Sequence, residues 1–256
     1  MPKIITIFNQ KGGVGKTTTA INLAACLAES NYNILLIDAD QQGNCTSSLG
    51  IANESLETTF YHFLMKGIPI DDAIIKTSID RVDLIPANST LIAADYELIS
   101  QPNKESYLKK KLNEEEEFLK KYDFILIDSP PSLNFLSANI LTAANYLLIP
   151  MQPQYLAMQG LASLLNNYKS VKLNHNQALT ILGVVITMHS KTNLSKDVID
   201  DLKKSMGDLV LDTVIPINVK VGESTGACTP VVIYDKKATA SIAYKELTDE
   251  ILRKIK

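Results

Sequence analysis

The chain has no apolar run near the ~18 residues that a membrane-crossing helix needs, which excludes a spanning helix of ordinary length. It also lacks an excess of positive charge. Against 28 Asp and Glu stand 25 Lys and Arg, for a formal net charge of −3. No global basic field therefore draws the protein to DNA or to an anionic lipid surface, and any DNA contact has to come from a local patch or from one assembled in a dimer. Cysteine is scarce: Cys26, Cys45 and Cys228 are three in number and have no paired spacing. They exclude a disulfide frame and a zinc site, and fit reduced thiols in a cytosol. There is no internal repeat, low-complexity tract or linker, and the first residues enter a strand pattern at once, leaving no room for a signal peptide. What is present is a full complement of core-forming residues, 46% of 256, which fits one α/β domain over residues 1–256.

Short apolar runs alternate with helical patterns, the signature of a parallel sheet with crossover helices. Strands are expected at Ile4–Phe8, Ile34–Ile37, Val82–Ile85, Phe124–Ile127, Tyr146–Ile149, Ile181–Thr187 and near Val214–Ile215. Several are almost continuously apolar, as strands covered on both faces should be. Helices are expected at Thr17–Glu29, Leu91–Leu98, Ser106–Lys120, Gln159–Val171, Leu194–Met206 and Ser241–Ile255. The charge run Lys109–Lys111 followed by Glu114–Glu117 reads as the solvated face of one of them.

The most informative segment is Lys11-Gly12-Gly13-Val14-Gly15-Lys16-Thr17-Thr18-Thr19, directly after the first strand. A strand that runs into a glycine-rich turn, then Lys-Thr, then an amphipathic helix is a phosphate-binding loop. Glycines let successive backbone N–H groups aim at phosphate oxygens, and the helix start adds its positive dipole end. Lys16 suits the β- and γ-phosphates, and the Thr17 hydroxyl suits Mg²⁺. The strict pattern wants Gly five residues before Gly15; Gln10 stands there, followed by a second lysine, Lys11. Two further strands end in acids: Ile34–Ile37 runs into Asp38-Ala39-Asp40-Gln41-Gln42-Gly43-Asn44, and Phe124–Ile127 into Asp128-Ser129-Pro130-Pro131. A carboxylate fixed at a strand end beside such a loop is placed to serve Mg²⁺ or its waters.

These segments resemble the ParA/MinD family of ATPases, whose deviant Walker A loop carries the extra lysine. The resemblance runs from Ile4 to the final helix and lies nearest the small ParA/Soj partitioning proteins. It implies an α/β P-loop NTPase with a twisted, mainly parallel sheet and helices on both faces. It implies ATP and Mg²⁺ as ligands, with Gly12, Gly13, Val14, Gly15, Lys16, Thr17 and Thr18 cradling phosphate. Lys11 is expected to reach the partner's nucleotide across a sandwich dimer. Asp-x-Asp-x-Gln-Gly-Asn resembles the family's first switch segment, which makes Asp40 the water-positioning aspartate and Asp38 an acid near the metal shell. Asp128-Ser-Pro-Pro resembles its second switch, which makes Asp128 the holder of a metal-bound water. Ile215-Pro216-Ile217-Asn218-Val219 resembles the base-pocket element, pointing to Pro216 and Asn218, with Met188 beside them. Ile217 departs from the usual Arg, and Gly222–Gly226 departs from the usual loop.

The implied activity is slow, partner-stimulated ATP hydrolysis. The ATP-bound dimer is expected to bind double-stranded DNA without sequence preference through Lys191 and Lys220, both commonly Arg in the family, and a ParB-type protein is expected to release it. The expected location is cytoplasmic and nucleoid-associated, with no membrane partner. Two alternatives are a MinD-like membrane-bound positioning ATPase and a ParA-like ATPase that positions another cargo. The first needs a terminal amphipathic membrane helix. The closing segment from Ser241 is amphipathic, yet it carries Glu246, Asp249 and Glu250 and no Phe or Trp.

Overall fold

The computed structural model describes residues 1–255; Lys256, the last residue of the expected domain, lies outside the described residues. In chain order, β1 (Lys3–Ile7) leads through the glycine loop into α1 (Lys16–Glu29), and β2 (Ile34–Asp38) into the short α2 (Asn44–Ser48). Next come α3 (Phe60–Lys66), β3 (Ile75–Lys76), β4 (Val82–Ile85), α4 (Ile92–Ile99), α5 (Tyr107–Glu114) and α6 (Glu116–Leu119). After β5 (Phe124–Asp128) follow α7 (Phe135–Ala143), β6 (Tyr146–Met151), α8 (Tyr155–Asn174), β7 (Thr180–His189) and α9 (Asn193–Met206). The chain closes with β8 (Val210–Pro216), α10 (Val219–Gly226), α11 (Val231–Tyr234) and α12 (Thr239–Ile255).

The strands form one eight-stranded sheet in the order β3-β4-β2-β5-β1-β6-β7-β8. All pairs are parallel except β3 with β4 at one edge. Alternate side chains of each strand enter opposite layers. Leu35, Ile37, Ile125 and Ile127 pack into one core with Phe60, Leu98 and Ile140. Ile34, Leu36, Phe124 and Leu126 pack into the other with Leu23, Leu27 and Tyr244. Helices therefore cover both faces, and β2 and β5 are buried throughout.

The expected strands are present: β1 and β4 have the expected length, β2, β5 and β6 are a residue or two longer, β7 and β8 are extended further, and the short edge strand β3 was not expected. The expected helix over 106–120 is two helices, broken at Glu115. Four successive glutamates crowd like charge there; Lys110 and Lys111 lie 3.7 and 3.3 Å from Glu114, the N-terminal ammonium lies 3.8 Å from Glu116, and Glu117 pairs with Lys120. The apolar face of α12 is turned into the core through Ala243, Tyr244, Leu247 and Ile251, so that helix is a packing element. No helix among the described residues is long and apolar enough to cross a membrane.

Candidate functional site

The loop between β1 and α1 sits at the carboxyl edge of the sheet because β1 lies near its centre, between β5 and β6. Gly13 and Gly15 have φ of +72° and +83°, a left-handed backbone that side chains with a Cβ rarely adopt. Gly15 is the residue before α1, and no side chain caps that helix, so its first-turn N–H groups are left for an anion. Thr187, at the end of β7, holds the loop from outside: its hydroxyl donates to Val14 O at 2.8 Å. Gln152 Nε2 donates to Gly13 O at 2.9 Å.

A cleft of ≈ 420 Å³ opens above this loop. Its walls include Gly12, Gly13, Gly15, Lys16, Thr17 and Thr18, together with Asp40 and Gln42 from the loop after β2. Met188, Ser224, Thr225, Thr229 and Pro230 close the far side. The Lys16 ammonium folds back to Lys11 O at 3.3 Å. Burial pushes its pKa below the usual lysine value, and the nearby Asp128 and Asp40 carboxylates push the other way.

Two acids sit side by side at the ends of adjacent strands, with Asp38 and Asp128 facing each other in the β2–β5 register. Both are fully buried. Burial, and each acid's carboxylate neighbours, raise both pKa values; Asp38 is pushed up to about 6. Their oxygens are used differently. Asp38 Oδ1 accepts from Asp40 N (3.1 Å), and Oδ2 accepts from Thr46 N (2.9 Å) and Thr46 Oγ1 (2.7 Å). Asp128 Oδ2 accepts from the Thr17 hydroxyl at 2.7 Å, and Asp128 Oδ1 is buried with no partner. An orphaned carboxylate oxygen beside a threonine hydroxyl is a fitting oxygen donor set for Mg²⁺, which prefers one or two carboxylates plus waters and phosphate. Among the described residues no cluster of three or more His, Cys, Asp or Glu is arranged to hold a metal, so such an ion would draw its other ligands from phosphate and water.

Asp40 lies on the cleft wall with its Oδ1 accepting from Gln42 N at 3.0 Å. The loop that carries it turns at Gly43, φ +61°, where an added Cβ would stand 2.7 Å from Ala87 O and closer still to Asn53 Nδ2. Met188 is 41% exposed at φ +50°, a strained backbone for a residue with a side chain, so it is a cleft residue and not part of the core. Lys11 is not in the cleft lining; its Nζ donates to Gln154 Oε1 at 2.5 Å, just before α8.

Asp38 directs both of its oxygens to its own loop, to the Asp40 and Thr46 donors. Pro216 and Asn218 are not brought into the cleft lining. Asn218 instead caps α10, its Oδ1 accepting from Lys220 N at 2.8 Å, while its Nδ2 donates to Thr239 Oγ1 at 2.7 Å. The residues that do close that side, Ser224 to Pro230, lie on and after α10. Sequence reading missed them because Gly222 and Gly226 suggest a loop; the Asn218 cap was the one available signal of a helix.

Lys191 is exposed after β7, and Lys220 lies in the first turn of α10, after β8. The pairing of His189 with Pro216, and the Ile217 N to His189 O bond of 3.1 Å, bring these two segments to one edge. Lys220 is already ion-paired, 2.8 Å from Glu223 Oε2. Its pKa is raised and that of Glu223 lowered by this contact.

Comparison with known proteins finds relatives that match nearly the whole chain. A family profile described as "AAA domain" matches residues 2–181. The chain is 42% identical over 252 residues to the sporulation initiation inhibitor protein Soj of Bacillus subtilis, covering 98% of both chains. It is 43% identical over 251 residues to the chromosome partitioning protein ParA of Caulobacter vibrioides, covering 98% of this chain and 94% of the relative. A crystal structure described as cobyrinic acid a,c-diamide synthase from Mycobacterium smegmatis, with bound ATP analogue and magnesium, matches with a TM-score of 0.86 at 32% identity, covering 99% of this chain and 95% of that one.

Proposed function

This chain belongs to the ParA/Soj family of chromosome-partitioning ATPases, and from that premise we propose that residues 1–256 form one ATP-hydrolysing switch that partitions DNA. The observation that carries the reading is the Thr17–Asp128 pair, with its unpartnered carboxylate oxygen, at the foot of a glycine-lined cleft. ATP enters with its phosphates on the backbone of residues 12–18 and Lys16 on the β- and γ-phosphates. Thr17 and Asp128 would hold Mg²⁺, with Asp38 behind them, and the bound ion would offset the negative charge of the phosphate oxygens. Asp40 orients a water whose oxygen attacks the γ-phosphorus as the bond to the bridging oxygen breaks. Met188 and residues 224–230 receive the base.

Lys11 stands outside the lining of its own cleft, which favours a role across a sandwich dimer on the partner's nucleotide. The ATP dimer binds double-stranded DNA through Lys191 and Lys220 as phosphate contacts, and accumulates on the nucleoid. Hydrolysis, stimulated by a ParB-type protein, ends that state. Sedimentation of Asp40→Ala with random-sequence DNA, in ATP and in ADP and with anionic liposomes in parallel, tests the reading. ATP-dependent, salt-sensitive binding to DNA alone is expected. Binding to liposomes and not DNA, or DNA binding indifferent to the nucleotide, overturns it.

A further inference from the structure

The loop that follows Asp128 is anchored at both ends by different means. At its near end Ser129 N donates to Ile7 O (3.3 Å), and the Thr6 and Ser129 hydroxyls are 2.7 Å apart. In the middle, Pro130 and Pro131 have no N–H to give. The far end is held by a residue from another element. Asp95, in the middle of α4, receives the Leu136 N–H on Oδ1 at 2.9 Å and the Asn134 side-chain amide on Oδ2. Asn134 in turn caps α7, its Oδ1 accepting from Ser137 N at 3.0 Å. A carboxylate at the start of α7 also meets the positive end of that helix. Asp95 is half-buried, and burial pushes its pKa above the usual carboxylate value, so it holds this post against a desolvation cost. A groove of ≈ 480 Å³ runs alongside, lined by Asp40, Gln42, Asp95, Pro130, Pro131 and Phe135. Both switch loops and the Asp95 clamp therefore border one space.

We propose that Asp95 is a positioning residue for ATP hydrolysis: through Asn134 and the first turn of α7 it fixes the far end of the Asp128 loop against the Asp40 loop. This rests on the reading of Asp128 as the metal-side carboxylate. The chemistry of the clamp gives a reciprocal test. In Asp95→Asn the new amide must present N–H₂ either to Leu136 N–H or to the Asn134 amide, donor against donor, whichever way it is turned. In Asn134→Asp two carboxylates meet. In the double variant Asp95→Asn/Asn134→Asp every donor again has an acceptor. The oxygen of the amide introduced on α4 takes Leu136 N–H, its N–H₂ donates to the carboxylate introduced before α7, and that carboxylate still caps Ser137 N.

The experiment measures intrinsic ATP turnover, ATP binding by titration, and amide exchange over residues 129–137. Each single variant is expected to lower kcat by ~10-fold or more, with KM for ATP within ~2-fold and faster exchange in 129–137. The double variant is expected to recover most of that loss and the slow exchange. Unchanged kcat in Asp95→Asn, even with a lower Tm, overturns the proposal, as does a double variant no better than either single. Where Asn134→Asp does not fold, Asp95→Asn and the double variant decide. Asp128→Asn is run beside them. Full turnover there overturns the reading of Asp128 itself; lost turnover there with full turnover in Asp95→Asn overturns only the positioning role.

Discussion

The two ends of the cleft are built on opposite principles. At the glycine-loop end the lining residues are neighbours in the chain: Gly12, Gly13 and Gly15 to Thr18 form one wall, held from outside by Thr187 and Gln152. At the far end the wall comes from Met188 after β7 and from Ser224, Thr225, Thr229 and Pro230 on and after α10. There, Asn218, expected beside the base, has both ends of its amide engaged within the protein, with Lys220 N and Thr239 Oγ1. The same contrast appears between the neighbours Asp38 and Asp128. One directs both oxygens to its own loop, and the other keeps an oxygen without a partner. A side chain already engaged within the protein is less available to a ligand than one that keeps an oxygen without a partner.

The sharpest way to break this comparison is at the phosphate end. Lys16→Ala is expected to cut kcat by about 10²–10³-fold, because a preorganised charge on the phosphates is lost; turnover assays near that of the parent chain would remove Lys16 from the site. Asp38→Asn is expected to act first on stability. It leaves one of the Asp40 and Thr46 donor sets facing an N–H₂ group, at about 1–3 kcal/mol by denaturant unfolding.

The acid pair also sets a pH dependence. Asp38 is raised to about 6 in the folded chain against 3.8 as its ordinary value, so between those values the folded state holds a proton that the unfolded state has released. Its contribution is therefore most favourable in acid and declines as pH rises from about 4 to 6, with Asp128 shifted in the same direction. Thermal melts of nucleotide-free protein across that window should show a shallower decline in Asp38→Asn than in the parent.

At the far end the effects are smaller. Asn218→Ala is expected to remove a helix cap and cost about 1 kcal/mol of stability, while ATP affinity by titration stays within ~2-fold. A large loss of ATP affinity at unchanged stability would make Asn218 a base contact. The smallest effect concerns the edge after β7 and β8. Glu223→Gln frees Lys220 from its ion pair and is expected to raise DNA affinity of the ATP-bound protein a few-fold, with a slightly steeper salt dependence. Weaker or unchanged binding in a salt titration would take Lys220 out of the DNA surface.

The parallel α/β sheet, the phosphate loop and the two acidic strand ends were legible in the sequence. Each is a local pattern: a glycine-rich turn between strand and helix, or an apolar run ending in Asp. The helices α2, α3, α7, α10 and α11 were not legible: α2, α3 and α11 are only 5, 7 and 4 residues long, too short to show a period, α7 is buried on nearly every side and so has no apolar stripe, and α10 is built around two glycines. By itself, then, the sequence determined the form of the glycine-rich loop between β1 and α1, since backbone dihedrals and neighbouring N–H groups are set within a few residues. Only the tertiary structure decided which of two adjacent carboxylates keeps a free oxygen, which loop closes the far wall, and that Asp95 of α4 holds the start of α7. Those outcomes depend on partners distant in the chain, Thr17 for Asp128 and Leu136 for Asp95, which folding alone brings within hydrogen-bonding reach, whereas Asp38 is satisfied within its own loop by Thr46.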